Sequence, residues 1–228
     1  RLADLDATLG LATVAREEAW TRPEVETGAV LEIDAGRHPV VEALLRSRGQ
    51  DDFVPNDCNL NPASAPMWIL TGPNMSGKST LLRAIGANVI LAGAGGPVCA
   101  EAMALPVADL RTSMRIRDSL EEGISYFMAE LRRLKAVCDA ASAANERPVL
   151  YLLDEILQGT NTAERQIAAR RILHHLLDQH AIGAVTTHDL TLADAEDLKD
   201  RAVLVHFRES VETPEDGPPI AFDYRLRP

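Results

Sequence analysis

The sequence predicts an α/β protein with a mostly parallel central sheet flanked by helices, preceded by an N-terminal helical segment. Three observations carry that prediction. Short apolar runs without alternation, MWIL at 67–70, VLYLL at 149–153 and AIGAV at 181–185, have the length and character of strands buried on both faces. Segments of helical period separate them, the order that builds a parallel sheet with crossover helices. Each run also stops at a polar cluster, TGPNMSGKST, DEILQGTNT or TTHD, and in such sheets ligands lie beyond the carboxyl ends of the strands.

Taken in order, Leu2, Leu5, Leu9 and Val14 among many alanines make residues 1–20 a helix. Residues 21–35 alternate loosely and read as a strand after a proline-containing link. GRHPVVEALLRSRGQDD (36–52) reads as a turn, a short helix and a polar loop. The Asn, Pro and Asp of FVPNDCNLNPASAP (53–66) predict turns throughout. A strand at 66–71 and a helix at 79–92 follow, then short strands within 93–118. Ile124, Phe127, Met128, Leu131, Leu134 and Cys138 recur at helical spacing, which defines an amphipathic helix with Arg132, Arg133 and Lys135 outside. The strand at 149–155 precedes a helix from Asn161, a capping residue with Glu164 three positions on, to about Gln179. A strand at 181–189 comes next. AVLVHF (202–207) and AFDYRLR (221–227) are expected to form a closing strand pair around the acidic loop ETPEDGPP.

Bulk properties narrow the function. With 46% hydrophobic and 25% charged residues the chain has the composition of a soluble globular protein. A formal net charge of −11 repels phosphate backbones, which argues against a major nucleic-acid grip within this chain. Cys58, Cys99 and Cys138 are odd in number and lack metal-ligand spacing, so reduced thiols and a cytoplasmic location are expected, with nucleoid association left open. The longest uncharged run, Ala84–Ala100, is broken by Asn88, several glycines and Pro97, and does not read as a membrane segment. The chain begins at Arg1 without a signal peptide and reads as a piece of something longer.

The polar clusters carry the chemistry. Gly72, Gly77, Lys78 and Ser79 fit G-x-x-x-x-G-K-[ST] between an apolar strand and a helix, the pattern of a phosphate-binding loop. Its glycines let main-chain N–H groups turn inward, and the following helix adds its positive end. Lys78 is expected to reach the β- and γ-phosphates and Ser79 to ligate Mg²⁺. Asp154 and Glu155 close a buried strand: the first can hold Mg²⁺, and the second can orient or deprotonate the attacking water. His188, at the end of the next strand, is placed to sense the γ-phosphate, although a histidine there also serves as a structural hydrogen-bonding group.

In order along the chain, GRHPVVE (36–42), FVPND (53–57), TGPNMSGKST (71–80), ISYFMAEL (124–131), LLDEILQGTNT (152–162) and TTHDL (186–190) resemble the ATPase domain of the MutS family. The resemblance implies a P-loop NTPase fold of the ABC type over residues 23–228, with residues 1–22 as the end of a helical lever. Ser76, GISYFM and DEILQGTNT depart from GPNMGGKST, GRSTFM and DEIGRGTST, the usual forms in repair members, which points to a divergent branch. It further implies an ATP-hydrolysing domain with ATP and Mg²⁺ as cofactors. Gly72, Pro73, Asn74, Met75, Ser76, Gly77, Lys78, Ser79 and Thr80 would form the ATP-binding loop, and Ser79 and Asp154 the metal ligands. Glu155, His188 and Lys78 would be catalytic. Ser125 matches a signature serine that reaches the γ-phosphate of a second subunit; capping the helix that follows is its competing role. Gly159–Thr162 matches a loop that carries signals between two sites. Phe53 sits where the family stacks an aromatic on adenine and Tyr224 where the other face would be covered, with core packing as the rival role for both. Expected partners are ATP or ADP, a second copy or MutS-like partner joined through the nucleotide sites, and DNA through regions outside this chain. Other clients (RNA, a ribosome, a membrane-tethered assembly) and a module that binds nucleotide without turnover are the alternatives. Phe207-Arg208-Glu209 imitates a mismatch-reading Phe-x-Glu but belongs to a C-terminal strand, so no such role attaches to it.

Overall fold

The computed structural model describes residues 2–114, 126–143, 147–157, 162–189, 192, 196–210 and 221–228. Its centre is a five-stranded, all-parallel sheet. The strands are β4 (Met67–Thr71), β6 (Asp109–Ser113), β7 (Val149–Asp154), β8 (Ala181–Thr186) and β9 (Ala202–His206), in the order β6-β7-β8-β4-β9. A second, mixed sheet of four strands has the order β1-β5-β2-β3, from β1 (Glu24–Glu26), β2 (Leu31–Gly36), β3 (Asn56–Leu60) and β5 (Ala102–Pro106). The helices are α1 (Leu2–Glu17), α2 (Pro39–Ser47), α3 (Lys78–Gly93), α4 (Tyr126–Ser142), α5 (Thr162–Leu177) and the single turn α6 (Glu196–Lys199). A two-residue antiparallel ladder joins β10 (Glu209–Ser210) to β11 (Ala221–Phe222).

Alternation along the central strands explains the two cores. Trp68 and Leu70 of β4, with Leu150, Leu152, Ile182 and Ala184, pack on Leu82, Ile85 and Val89 of α3. The far side of α3 meets Leu31, Ile33, Cys58 and Leu60 of the second sheet, so this helix is sandwiched between sheets. Met67 and Ile69 point the other way, with Tyr151, Leu153 and Val185, and are covered by α4 and α5 through Leu134, Val137, Leu173 and Leu176. Both faces of β4, β7 and β8 are therefore dry, which is why the sequence shows unbroken apolar runs there, whereas the edge strand β6 keeps Arg111 and Thr112 exposed.

Polar groups bind the second sheet to α3. Asn88, fully buried, donates to Ala84 O at 2.9 Å and Arg37 O at 3.1 Å, and its Oδ1 accepts from Cys99 N–H at 2.6 Å. His38 caps α2, its Nδ1 accepting from the Val40 and Val41 N–H groups, with Pro39 at the first helical position. No residue of α1 is buried, and its end is held by the Arg46–Glu18 ion pair and by Arg37 Nη2 donating to Ala19 O at 3.1 Å. The three cysteines are free thiols, and burial pushes those of Cys58 and Cys99 up, the latter to about 12. Among the described residues no helix is long and apolar enough to cross a membrane.

Four expectations need correction. Residues 53–66 are not turns throughout: β3 pairs antiparallel with β2, Leu31 facing Leu60 and Ile33 facing Cys58. Burial of Cys58 and Leu60 selects a strand although Asn56, Asp57 and Asn59 favour turns. Residues 21–35 are two strands rather than one, divided at a glycine turn. The strand beginning at 181 stops at Thr186, leaving Thr187 and His188 in the loop. The closing pair is only partly as expected, because β9 adds in parallel to β4 at the edge of the central sheet. The returning C-terminal segment meets its end at a single His206–Arg227 bridge.

Across β7 and β8 the fully buried Tyr151 lies opposite Gly183. A Cβ at Gly183 would stand 2.4 Å from Tyr151 Cδ2 and 2.2 Å from Tyr151 O. Gly183→Ala should therefore cost about 1–3 kcal/mol, the usual range for overpacking a core. A calorimetric melt should show the midpoint falling by several degrees; an unchanged midpoint would mean that β7 and Tyr151 shift aside without cost.

Candidate functional site

The loop between β4 and α3 is shaped by left-handed backbone. Gly72, Met75 and Gly77 have φ of 140°, 66° and 105°. At Gly72 a Cβ would stand 2.9 Å from Phe207 O, so close approach of two main chains adds to the φ requirement. Met75, not Ser76, takes the left-handed position between the glycines; Ser76 is buried beneath the loop. Gly77 precedes the 16-residue α3, so unpaired N–H groups at the helix start face the loop.

Lys78 opens α3 and is 5% exposed. Its Nζ turns back to donate to Gly72 O at 2.8 Å and Pro73 O at 2.9 Å. Burial holds its pKa below the usual lysine value, while the charges of Glu155 and Asp154 pull the other way. An ammonium held by two carbonyls beside a helix start is a cradle for an anion.

Two other strand ends reach the same place. Asp154 Oδ1 accepts hydrogen bonds from Ser79 Oγ at 3.0 Å and from Thr186 Oγ1 at 2.8 Å. Thr186 Oγ1 in turn accepts from Glu155 N–H at 2.9 Å. Glu155 leaves the strand with φ of 54°, and its Oε1 meets His188 Nε2 at 2.5 Å. Leu157 is also left-handed, with φ of 62°, and its N–H donates to Glu130 Oε1 at 2.5 Å. Glu130 belongs to α4 and is 2% exposed. Two side chains from neighbouring elements thus fix the main chain on both sides of Ile156, in a conformation that costs on the order of 1–3 kcal/mol per residue outside glycine.

Lys78, Ser79, Asp154 and Glu155 border a cavity of about 960 Å³, a size suited to a small-molecule ligand; Thr186, Glu130 and His188 do not line it, and His188 reaches it only through Glu155. Asn74, Met75, Gly77, Lys78, Ser79 and Thr80 line one end together with Asp154 and Glu155. Phe53 and Tyr224 line it as well, as do the apolar Val41 and Leu45. Gly72, Pro73 and Ser76 shape the loop without lining the cavity. Ser125 and Gly159–Asn161 lie outside the described residues. Among the described residues no cluster of three His, Cys, Asp or Glu side chains forms a metal cage. The hard oxygen donors present are the Ser79 hydroxyl and the Asp154 carboxylate, a set that suits Mg²⁺ completed by water and phosphate oxygens.

Sequence reasoning missed Thr186 and Glu130. The signal for Thr186 was a hydroxyl at the end of a buried strand in register with Asp154. That for Glu130 was an acid among Phe127, Leu131 and Leu134 on the inward face of α4, where a charge needs a polar partner.

Residues 68–228 match the family described as MutS domain V. The DNA mismatch repair protein MutS of Ruegeria sp. (strain TM1040) is 41% identical over 194 residues, 83% of this chain and 22% of that protein. That of Salinibacter ruber is 37% identical over 206 residues, covering 90% and 22%. The MutS of Natronomonas pharaonis is 37% identical over 231 residues, covering the whole of this chain and 25% of its own length. The chain thus spans about a quarter of the length of these relatives. With more than half its residues inside the family match, this chain belongs to the MutS family.

Proposed function

We propose that residues 23–228 form an ABC-type P-loop ATPase domain of a MutS-like DNA-binding protein, with residues 1–22 as the end of a helical lever. The observation that carries this reading is that two parallel strand ends meet at one cavity, Lys78 and Ser79 after β4 and Asp154 and Glu155 at β7, while His188 after β8 does not line it but hydrogen-bonds Glu155. The client follows from relatives that are DNA mismatch repair proteins; DNA itself is contacted through regions outside this chain.

The chain's own groups divide the work. The β- and γ-phosphates of ATP replace the carbonyls of Gly72 and Pro73 as partners of the Lys78 ammonium. Main-chain N–H groups of residues 74–80 add donors, and Phe53 and Tyr224 flank the base. Ser79 and Asp154 hold Mg²⁺, which neutralises phosphate charge when bound. Glu155 accepts a proton from the attacking water, and His188, hydrogen-bonded to it, orients the carboxylate and reports on the terminal phosphate. The left-handed φ at Glu155 swings its side chain out of the strand toward the cavity. A second copy pairs face to face, its Ser125 completing each site, so that ATP joins the two and hydrolysis separates them.

Lys78→Ala should weaken ATP binding at least tenfold, since a charge-assisted contact to phosphate is worth about 1.5–3 kcal/mol; equal calorimetric affinities would reject the loop assignment. Glu155→Gln should bind ATP normally yet hydrolyse it about 10²–10⁴-fold more slowly; parental turnover would remove Glu155 as the base. In sedimentation, ATP together with Glu155→Gln should give a dimer and ADP a monomer, and a monomer under both conditions would refute pairing around the nucleotide.

A further inference from the structure

Asn56 opens β3 and reaches a segment 168 residues away. Its Nδ2 donates to Tyr224 O at 2.9 Å, and its Oδ1 accepts from Leu226 N–H at 2.7 Å. One amide side chain therefore satisfies a carbonyl and an N–H of the C-terminal segment, as a neighbouring strand would. No described strand does so: β11 ends at Phe222, and the segment pairs again only at the His206–Arg227 bridge. Between these points Tyr224 is left-handed, with φ of 53°. For a side chain of this size that conformation costs about 1–2 kcal/mol and persists where the surroundings enforce it. Asp223 holds the opposite flank, accepting from Arg225 N–H at 3.1 Å and pairing with Arg227.

The clamp has a direct geometric result. Tyr224 is pressed over the loop at residues 72–77, where a Cβ on Gly77 would stand 3.4 Å from Tyr224 Cδ1. Asn56, Phe53, Phe222 and Tyr224 all line the cavity, while Lys78 and the main chain that would hold phosphate make no hydrogen bond to Asn56. We propose that Asn56 is a positioning residue that fixes Tyr224 as the cavity wall against the nucleotide's base, so that the heterocycle and not the polyphosphate senses its loss. The proposal rests on the nucleotide reading of the cavity. It assigns base discrimination to a contact between β3 and the C-terminal segment.

Two ligands separate the halves of the site: ATP carries base and anion, inorganic tripolyphosphate only the anion. In titrations of the parent, Asn56→Ala and Asn56→Thr chains, both substitutions should weaken ATP about tenfold, the scale of one base–aromatic stack, with tripolyphosphate unchanged within about twofold. Threonine suits a strand, so a loss common to both variants does not come from β3 itself. Because Asn56 acts through Tyr224, the Asn56→Ala, Tyr224→Ala double variant should bind ATP no more weakly than Tyr224→Ala alone. Equal losses for both ligands, parental ATP affinity, or additive losses in the double variant would each overturn the proposal. A parent chain that binds neither ligand would instead overturn the nucleotide reading on which it rests.

Discussion

One atom, Oδ1 of Asp154, accepts hydroxyl protons from two separate elements, α3 through Ser79 and β8 through Thr186. That is possible only because β4, β7 and β8 run in the same direction in adjacent positions. Thr186 stands level with both Leu70 and Asp154. An antiparallel neighbour would deliver its polar tail to the opposite edge. The parallel register therefore does more than build a core: it brings three short polar tails to one rim, where a single carboxylate can stitch them together. Parallel order in turn leaves the inner strands β4, β7 and β8 apolar on both faces, which commits α3, α4 and α5 to covering them.

The helix that begins at the loop is the second constraint. Being enclosed by two sheets, α3 cannot tilt without disturbing Leu31, Ile33 and Leu60 on one side and Leu150 and Leu152 on the other. Asn88 joins it to Arg37 and Cys99 by two further hydrogen bonds. The N–H groups at its start are consequently aimed by the whole core, and the left-handed turns at Met75 and Gly77 only complete what the packing has determined.

Much of this was readable in advance, and the reasons are particular. Buried parallel strands announce themselves because neither face needs a polar residue, so VLYLL and AIGAV stand out. Lys78, Ser79, Asp154, Glu155 and His188 lie at or shortly after the ends of such strands, where local spacing suffices to locate them. β3 escaped because only Cys58 and Leu60 face inward, amid residues whose side chains favour turns. Glu130 and Thr186 escaped for a different reason: each matters through a hydrogen bond to the main chain of another element, and no pattern within one segment encodes it. Tyr224 was placed at the cavity by family likeness alone; its tether crosses 168 positions of sequence.

The N-terminal helix is attached in a manner unlike the rest of the molecule. None of its residues is buried, and Leu2, Leu5 and Leu9 stand 84%, 64% and 64% exposed. Its polar links to the body are an ion pair, a guanidinium on a carbonyl and the short Thr21–Val98 bridge, with Leu11 lying near Gly96. The ion pair is an electrostatic contact that dissolved salt weakens. The joint is thus held largely by polar contacts, whereas the frame it abuts is held by apolar packing.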